Sequence, residues 1–304
     1  EADGLPLPGG YLLLADEEKT LSKRMEKDSY FVRVYAKNQM YTGKHIATKL
    51  WVGDYTTGDT FEKFAQKAEG IKRIGVLRAD VDNLGQTFVA GFAGKYATLS
   101  RTAALSRQLS IFFKYYIRSI LKNGEYHIDG EKKLTERNAT IVYSGGDDVF
   151  IVGAWNEVIE LSIDLQEKFK KYTQGTLSIS SGIGIYECTY PIGAIANETG
   201  EMEAESKRMP EKDSVTLMDD GETHLINELE ICDGTYRWEE LYKSVLGEKY
   251  DVIQDFLGES DERGMSFLYR MLELIRNQKE KINFARFVYL LSRLEPDKEG
   301  EKKE

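Results

Sequence analysis

Asp147 and Asp148 directly follow Gly145-Gly146, and no Lys or Arg stands beside them. Adjacent carboxylates repel, and without a partner one of them tends to keep its proton. A divalent cation removes the conflict, and Mg²⁺ favours one or two carboxylates completed by substrate phosphates. A second acidic pair, Asp80 and Asp82, lies upstream in Arg78-Ala-Asp-Val-Asp-Asn-Leu-Gly85. If the two pairs meet, they can hold two ions about 3.5–4 Å apart, the usual apparatus of in-line phosphoryl or nucleotidyl transfer.

The elements that would bring them together are legible. Ile141-Val-Tyr-Ser-Gly-Gly-Asp-Asp-Val-Phe-Ile-Val-Gly153 reads as a β-hairpin, with β-branched runs on either side of two glycines. The glycines are expected to supply the positive φ of a tight turn and to let a nucleotide approach the backbone closely. Ile74, Val76 and Arg78 alternate along another strand, which puts Asp80 and Asp82 on one side and Val81 opposite. Beside the hairpin, at the strand spacing of about 4.8 Å, Asp80 and Asp147 would share a metal. Asn83 to Gln86 opens a helix whose free N–H groups suit a phosphate. Each motif alone also has a plain structural reading. Gly-Gly-Asp-Asp is a common turn composition, and Asp82 is either a ligand or a helix N-cap. Their pairing across one long helix is the specific signal.

The chain has 304 residues, 41% of them hydrophobic, enough for two domains or one large one. No run is long and apolar enough to span a membrane. Cys188 and Cys232 make neither a disulfide framework nor an all-cysteine zinc site, and the expected location is the reducing cytoplasm. His45, His127 and His224 are scattered without ligand spacing and read as surface or core residues. A net charge of −10 argues against unaided nucleic-acid binding and leaves room for a local basic groove or a basic partner subunit.

Residues 1–70 read as a small β-rich segment or linker, ending in a helix from Phe61 to Ala68. From 71 to 220 the pattern is strand, helix, hairpin, helix, strand. Its helices run from Thr102 to Lys122, capped at Asn123-Gly124, and from Trp155 to Tyr172. A mobile charged loop is expected over 129–138, a further strand over Leu177–Ile185, a polar helix over Ile192–Lys207 and a last strand over Val215–Met218. The class is α+β, a ferredoxin-like β-α-β-β-α-β palm with helices on one face of an antiparallel sheet. Residues 221–304 read as a small α-helical domain with a charged, disordered tail from Pro296.

These segments resemble a known family. GIKRIGVLRADVDNLGQTF, LSRTAALSRQLSIFFKYYI, IVYSGGDDVFIVGAW, LSISSGIGIYECTYPIGAIA and the helical tail are similar to the C-terminal part of the large subunit of type III CRISPR effector complexes, most like the Csm (type III-A) form. The resemblance covers nearly the whole chain from about residue 5. It implies a cyclic oligoadenylate synthetase of antiviral defence that joins ATP through 3′–5′ linkages, releases pyrophosphate and is switched on when guide RNA pairs with target RNA. The implied partners are Csm-type effector subunits, guide and target RNA, and a second palm facing the first. Neither a His-Asp nuclease motif nor the four-cysteine zinc site of some members is found in these residues.

The same resemblance implies roles. Asp80, Asp147 and Asp148 are the expected catalytic acids, binding two Mg²⁺ or Mn²⁺ with help from the Val81 carbonyl. Asp148 is either a ligand of the second ion or a positioning group. Ser144, Gly145, Gly146, Asn83, Gly85 and Lys207 are the expected ATP contacts, Ser144 at adenine or ribose and Lys207 at phosphate. Arg101 and Arg107 are expected either to face the opposed palm or its nucleotide or to form surface pairs. The rival is a catalytically silent scaffold that organises guide RNA and small subunits. A diguanylate-type cyclase fits less well, because that family favours Glu and Phe where this chain has the Asp pair.

Overall fold

A computed structural model describes residues 4–27, 33–38, 46–58, 60–219, 221–258, 265–277 and 281–292. Residues 28–32 of the expected β-rich segment, His45 and the charged tail from Pro296 lie outside the described residues. The chain begins with a hairpin, β1 (Leu5–Leu7) and β2 (Tyr11–Leu13), then helix α1 (Glu18–Lys27) and a parallel pair, β3 (Arg33–Lys37) with β4 (Ile46–Leu50). Residues 53–57 then run along the sheet described next. Ile141 N–H donates to the Tyr55 carbonyl at 2.9 Å and Thr57 N–H to Ala139 at 3.2 Å. They cover an edge that would otherwise expose unpaired backbone. Helix α2 (Phe61–Lys67) follows, its Thr60 side chain accepting from the Lys63 N–H.

The core is β5 (Ile74–Val81), α3 (Leu84–Ala90), α4 (Leu99–Ile111), a π-helical turn at Phe112–Tyr116, α5 (Ile117–Lys122), β6 (Ala139–Ser144), β7 (Asp148–Ala154), α6 (Trp155–Tyr172), β8 (Ile179–Tyr186), α7 (Ile192–Ser206) and β9 (Ser214–Leu217). The central sheet has the order β12-β9-β8-β5-β7-β6, with β12 (Thr235–Arg237) as its last strand. Strands β8, β5, β7 and β6 are antiparallel to their neighbours within this set and give the ferredoxin-like arrangement, whereas β9 joins β8 in parallel.

Two observations correct the expected layering. Leu77, Ala79 and Val81 face α4, α5 and α6, where Phe112, Phe113 and Phe169 meet at ring-centroid distances of 5.1–5.8 Å. Each such buried ring contributes about 2–3 kcal/mol of burial. Ile74 and Val76 face the other way, onto Phe64 and Ala65 of α2 and Ile195 of α7. Helices therefore cover both faces, because β8 and β9 are parallel and their connection needs a crossover helix, α7.

The 129–138 stretch is anchored at its C-terminal end. Arg137 is 1% exposed and pairs with Glu160 and, at 2.9 Å, with Asp164 on α6. Those carboxylates also accept the N–H groups of Glu125, Tyr126 and Ile128. Gly124 does not take a left-handed cap conformation. A Cβ there would collide with the Arg137 guanidinium, so the glycine makes room for the ion network.

Beyond 220 the chain continues as strands before it becomes helical. β10 (Thr223–Ile226) and β11 (Leu229–Cys232) form a hairpin, and β12 joins the central sheet. Then come α8 (Trp238–Glu240), a π-helical stretch to Lys249, α9 (Tyr250–Gly258), α10 (Met265–Arg276) and α11 (Lys281–Ser292). Trp238 is buried in the palm core, its indole N–H donating to the Ile179 carbonyl at 2.8 Å. Among the described residues no helix is long and apolar enough to cross a membrane.

Candidate active site

Strands β5 and β7 lie side by side in a register that sets Asp80 opposite Asp148. Directly paired residues project to the same face of a sheet. This is the α7 face, since Arg78, two residues before Asp80, pairs with Glu203 of α7 at 3.0 Å. Asp147 sits in the turn between β6 and β7, and its carbonyl accepts the Val81 N–H at 3.2 Å. The turn runs from Gly145 to Asp148, with the Gly145 N–H donating to the Asp148 carbonyl at 2.8 Å.

The glycines work differently from the expectation. Neither Gly145 nor Gly146 has a left-handed φ. A Cβ on Gly145 would strike Asp148 Oδ1 and the Tyr143 hydroxyl, whereas one on Gly146 would meet only Ser110 Oγ at 3.6 Å. A side chain at Gly145 would have to push the Asp148 carboxylate and the Tyr143 hydroxyl aside, and Gly146 leaves the tip of the turn open.

Electrostatics converge on Asp147. Its carboxyl is pushed above the ordinary value, first by burial and then by the charges of Asp80 and Asp148, with Lys207 acting in the opposite direction. Lys207, the residue that closes α7, is bonded to Asp80 and, at 2.7 Å, to Glu203. Burial alone would lower the lysine, but these hydrogen bonds outweigh it and raise its pKa. The site thus gathers excess negative charge that one ammonium only partly offsets.

Among the described residues no three Asp, Glu, His or Cys side chains are gathered closely enough to hold a metal ion by themselves. The donor set still suits Mg²⁺ or Mn²⁺, hard ions that take one or two carboxylates and complete their shell with phosphate oxygens and water. A hollow of about 50 Å³ lined by Gln166, Lys170, Leu177, Ser178 and Asp213 is far smaller than a nucleotide needs.

Other expected residues are placed as follows. Asp82 is 2% exposed, and its Oδ2 accepts from Ser178 Oγ at 2.7 Å, Ser180 Oγ at 3.0 Å and the Asp213 N–H at 3.2 Å. Through Oδ2 it ties β5 to β8, while its buried Oδ1 has no hydrogen-bond partner, and it is not the N-cap. The cap of α3 is Asn83, in left-handed conformation, its Oδ1 accepting from Lys212 at 2.8 Å. Gly85 is exposed with open space around it. Arg101 lies 4.4 Å from the centre of the Tyr96 ring, and Arg107 is exposed.

A β-bulge between Ile141 and Tyr143 decides the rest. It pairs Tyr143 with Phe150, two residues from Asp148, so Tyr143 joins the acids' face and its hydroxyl bonds Asp148. It pairs Ser144 with Val149 on the opposite face, where Ser144 Oγ donates to the Phe113 carbonyl. Ser144 therefore does not join the acids. Tyr143 and Glu203 are absent from the residues expected of the site. Nothing in the sequence marks the bulge, but the spacing of Glu203 and Lys207 on α7 is a helical i,i+4 ion-pair signal.

Comparison with known proteins agrees with this fold. The second palm domain of Cas10/Cmr2 matches residues 73–216, and the second helical domain of the CRISPR RNA silencing complex subunit Cmr2 matches 254–304. The chain is 44% identical over 300 residues to the CRISPR system single-strand-specific deoxyribonuclease Cas10/Csm1 (subtype III-A) of Mycobacterium tuberculosis and 38% identical over 297 residues to that of Enterococcus italicus. The matches take in 96% and 95% of this chain but 35% and 36% of those proteins, so the chain spans about a third of their length. Crystal structures of a Csm1-Csm4 cassette with one ATP and with cA3 superpose with TM-scores of 0.66 and 0.64, both at 25% identity, over 87% of this chain and 39% of theirs. On the strength of its palm, its helical tail and these relatives, the chain belongs to the Cas10/Csm1 family of subtype III-A CRISPR systems.

Proposed function

We propose that this chain supplies a nucleotidyl-transfer site that joins ATP through 3′–5′ linkages into cyclic oligoadenylate, releasing pyrophosphate, within a type III CRISPR complex. The observation that carries the reading is the register of Asp80 opposite Asp148, with Asp147 close enough to feel the charge of both and Lys207 bonded to Asp80. It is supported by solved relatives whose cassettes bind one ATP and cA3.

Asp80, Asp147, Asp148 and the Val81 carbonyl are the groups that would hold two divalent ions. Such ions, when bound, acidify the attacking 3′-hydroxyl and neutralise the departing pyrophosphate. The chain does the positioning. Tyr143 fixes the Asp148 carboxylate, and Gly145 keeps that carboxylate unobstructed. Gly146 leaves the turn open for the nucleotide, and the 83–85 corner lies beside the same strand end. Lys207 is within reach of a phosphate from its place against Asp80. The reaction needs a second nucleotide, which a facing palm would present. A Csm4-type subunit and guide and target RNA are the proposed partners. The DNA cleavage in the relatives' name is not assigned to these residues.

The test is the complete effector complex with Asp147→Ala and Asp148→Ala together, incubated with target RNA, ATP and Mn²⁺. Loss of cyclic product supports the reading, and undiminished product removes it. Exposed Tyr269, Leu272, Phe284, Val288 and Tyr289 on α10 and α11 favour a second reading, a silent scaffold. ATP binding without turnover in the intact complex would select it.

A further inference from the structure

The Gly-Gly-Asp-Asp turn is held from behind by a contact of three separate segments. Ser144, the last residue of β6, faces away from the acids and donates to the Phe113 carbonyl. Phe113 lies in the π-helical turn between α4 and α5. A π-turn replaces i→i+4 bonding and is found disproportionately at functional sites. Here it places a main-chain acceptor where the hairpin can reach it. The third member is Gly53. A Cβ at this position would lie 2.5 Å from Ser144 Cβ, 2.9 Å from its Oγ and 3.3 Å from the Phe113 carbonyl oxygen. A clash with a Cβ cannot be relieved by swinging a flexible side-chain end. Gly53 is in turn fixed by the backbone pairing of residues 55–57 along the β6 edge.

We propose that Ser144 is a positioning residue. Seated between Gly53 and the π-turn carbonyl, it sets the height and tilt of the turn that carries Asp147 and Asp148, and it does not touch the nucleotide. This deepens the nucleotidyl-transfer reading and rests on it for its catalytic consequence. Its structural half stands separately. Only one residue, Gly145, separates Ser144 from the turn's corners, and its N–H is already bonded to the Asp148 carbonyl. A displacement of Ser144 therefore passes directly into the turn.

The experiment compares Ser144→Ala, Gly53→Ala and the double variant in the complete complex, by two readouts. Steady-state ATP kinetics should show kcat lower by about fivefold for Ser144→Ala, the loss expected of one neutral hydrogen bond, with KM for ATP unchanged. Gly53→Ala should lower kcat in the same way from outside the site, and the double variant should be no worse than the poorer single one. Amide hydrogen exchange of the 143–149 segment should quicken in each variant while β5 and α6 stay protected, which also verifies folding. A raised KM with unchanged kcat in Ser144→Ala would mean that the hydroxyl touches ATP and would overturn the proposal. So would unchanged exchange of the hairpin in both single variants. If the exchange result appears while the Asp147/Asp148 double variant still makes product, the functional reading has failed and the positioning contact has not.

Discussion

Lys207 offers the sharpest quantitative test, because it alone among the described cations touches the acids. Its side chain is 23% exposed, and its partners Asp80 and Glu203 are 28% and 11% exposed. At these depths solvent screens incompletely, and a hydrogen bond to a charged group contributes about 1.5–3 kcal/mol. Lys207→Met removes two of them and recovers the cost of burying the ammonium. Glu203 keeps Arg78 at 3.0 Å, so only Asp80 is left without a cation, beside an Asp147 already crowded by charge. The net loss should be about 2 kcal/mol, a fall of about 4–8 °C in the thermal midpoint for a cooperative unit of this size. Melts of both proteins in chelator would show it. With Mn²⁺ the deficit should shrink, because the divalent ion supplies the missing charge and stabilises the folded state through its binding. Midpoints within about 1 °C of each other in chelator, or the same deficit with and without Mn²⁺, would refute the electrostatic account.

The carboxyl of Asp147 keeps its proton to higher pH in the folded chain than in the unfolded one, so its ionisation costs stability as pH rises through the folded value, and the cost is absent below the unfolded carboxylate range. Asp147→Asn should therefore be more stable than the parent in chelator near neutral pH, with the gain fading in acid; a pH-independent difference in melts would contradict this. Gly145→Ala should lower product formation about a hundredfold by displacing Asp148, whereas Gly146→Ala, whose methyl meets only Ser110, should fall by a few-fold at most; equal losses in turnover assays would count against the crowding argument. Arg137→Met should cost about 3–5 kcal/mol in a denaturant titration, because Glu160 and Asp164 would stay buried without their cation; a change below about 1 kcal/mol would show the network to be dispensable.

The parts of the fold that alternate or repeat strongly could be read from the residues alone. Trp155–Tyr172 is a helix over the expected span, because Val158, Leu161, Leu165 and Phe169 recur at helical spacing. The strand before Asp80 and the hairpin around the double glycine are also where their β-branched runs put them. What escaped depends on partners distant in sequence. β10, β11 and β12 are three or four residues long, too short for a period to show, and β12 is a strand only because β9 accepts it. The bulge at the end of β6 shifts Tyr143 and Ser144 between faces, and no residue type there announces it. Asp82 carries the same residue type as Asp80, two positions away, yet the hydroxyls of Ser178 and Ser180 claim it. Charge spacing in the sequence shows where acids could gather but not which of them a neighbouring strand has already taken.

The indole of Trp238 reaches past the edge of the palm to bond Ile179, the residue flanked by Ser178 and Ser180. The root of the helical tail and the tether of Asp82 thus occupy three successive positions of one chain segment. A genetic dissection that cuts near residue 220 would not release a self-sufficient palm. It would strip a strand from the sheet and pull an aromatic plug from beneath the segment that steadies the acids, so any truncation meant to isolate the palm has to retain the chain at least through Leu241.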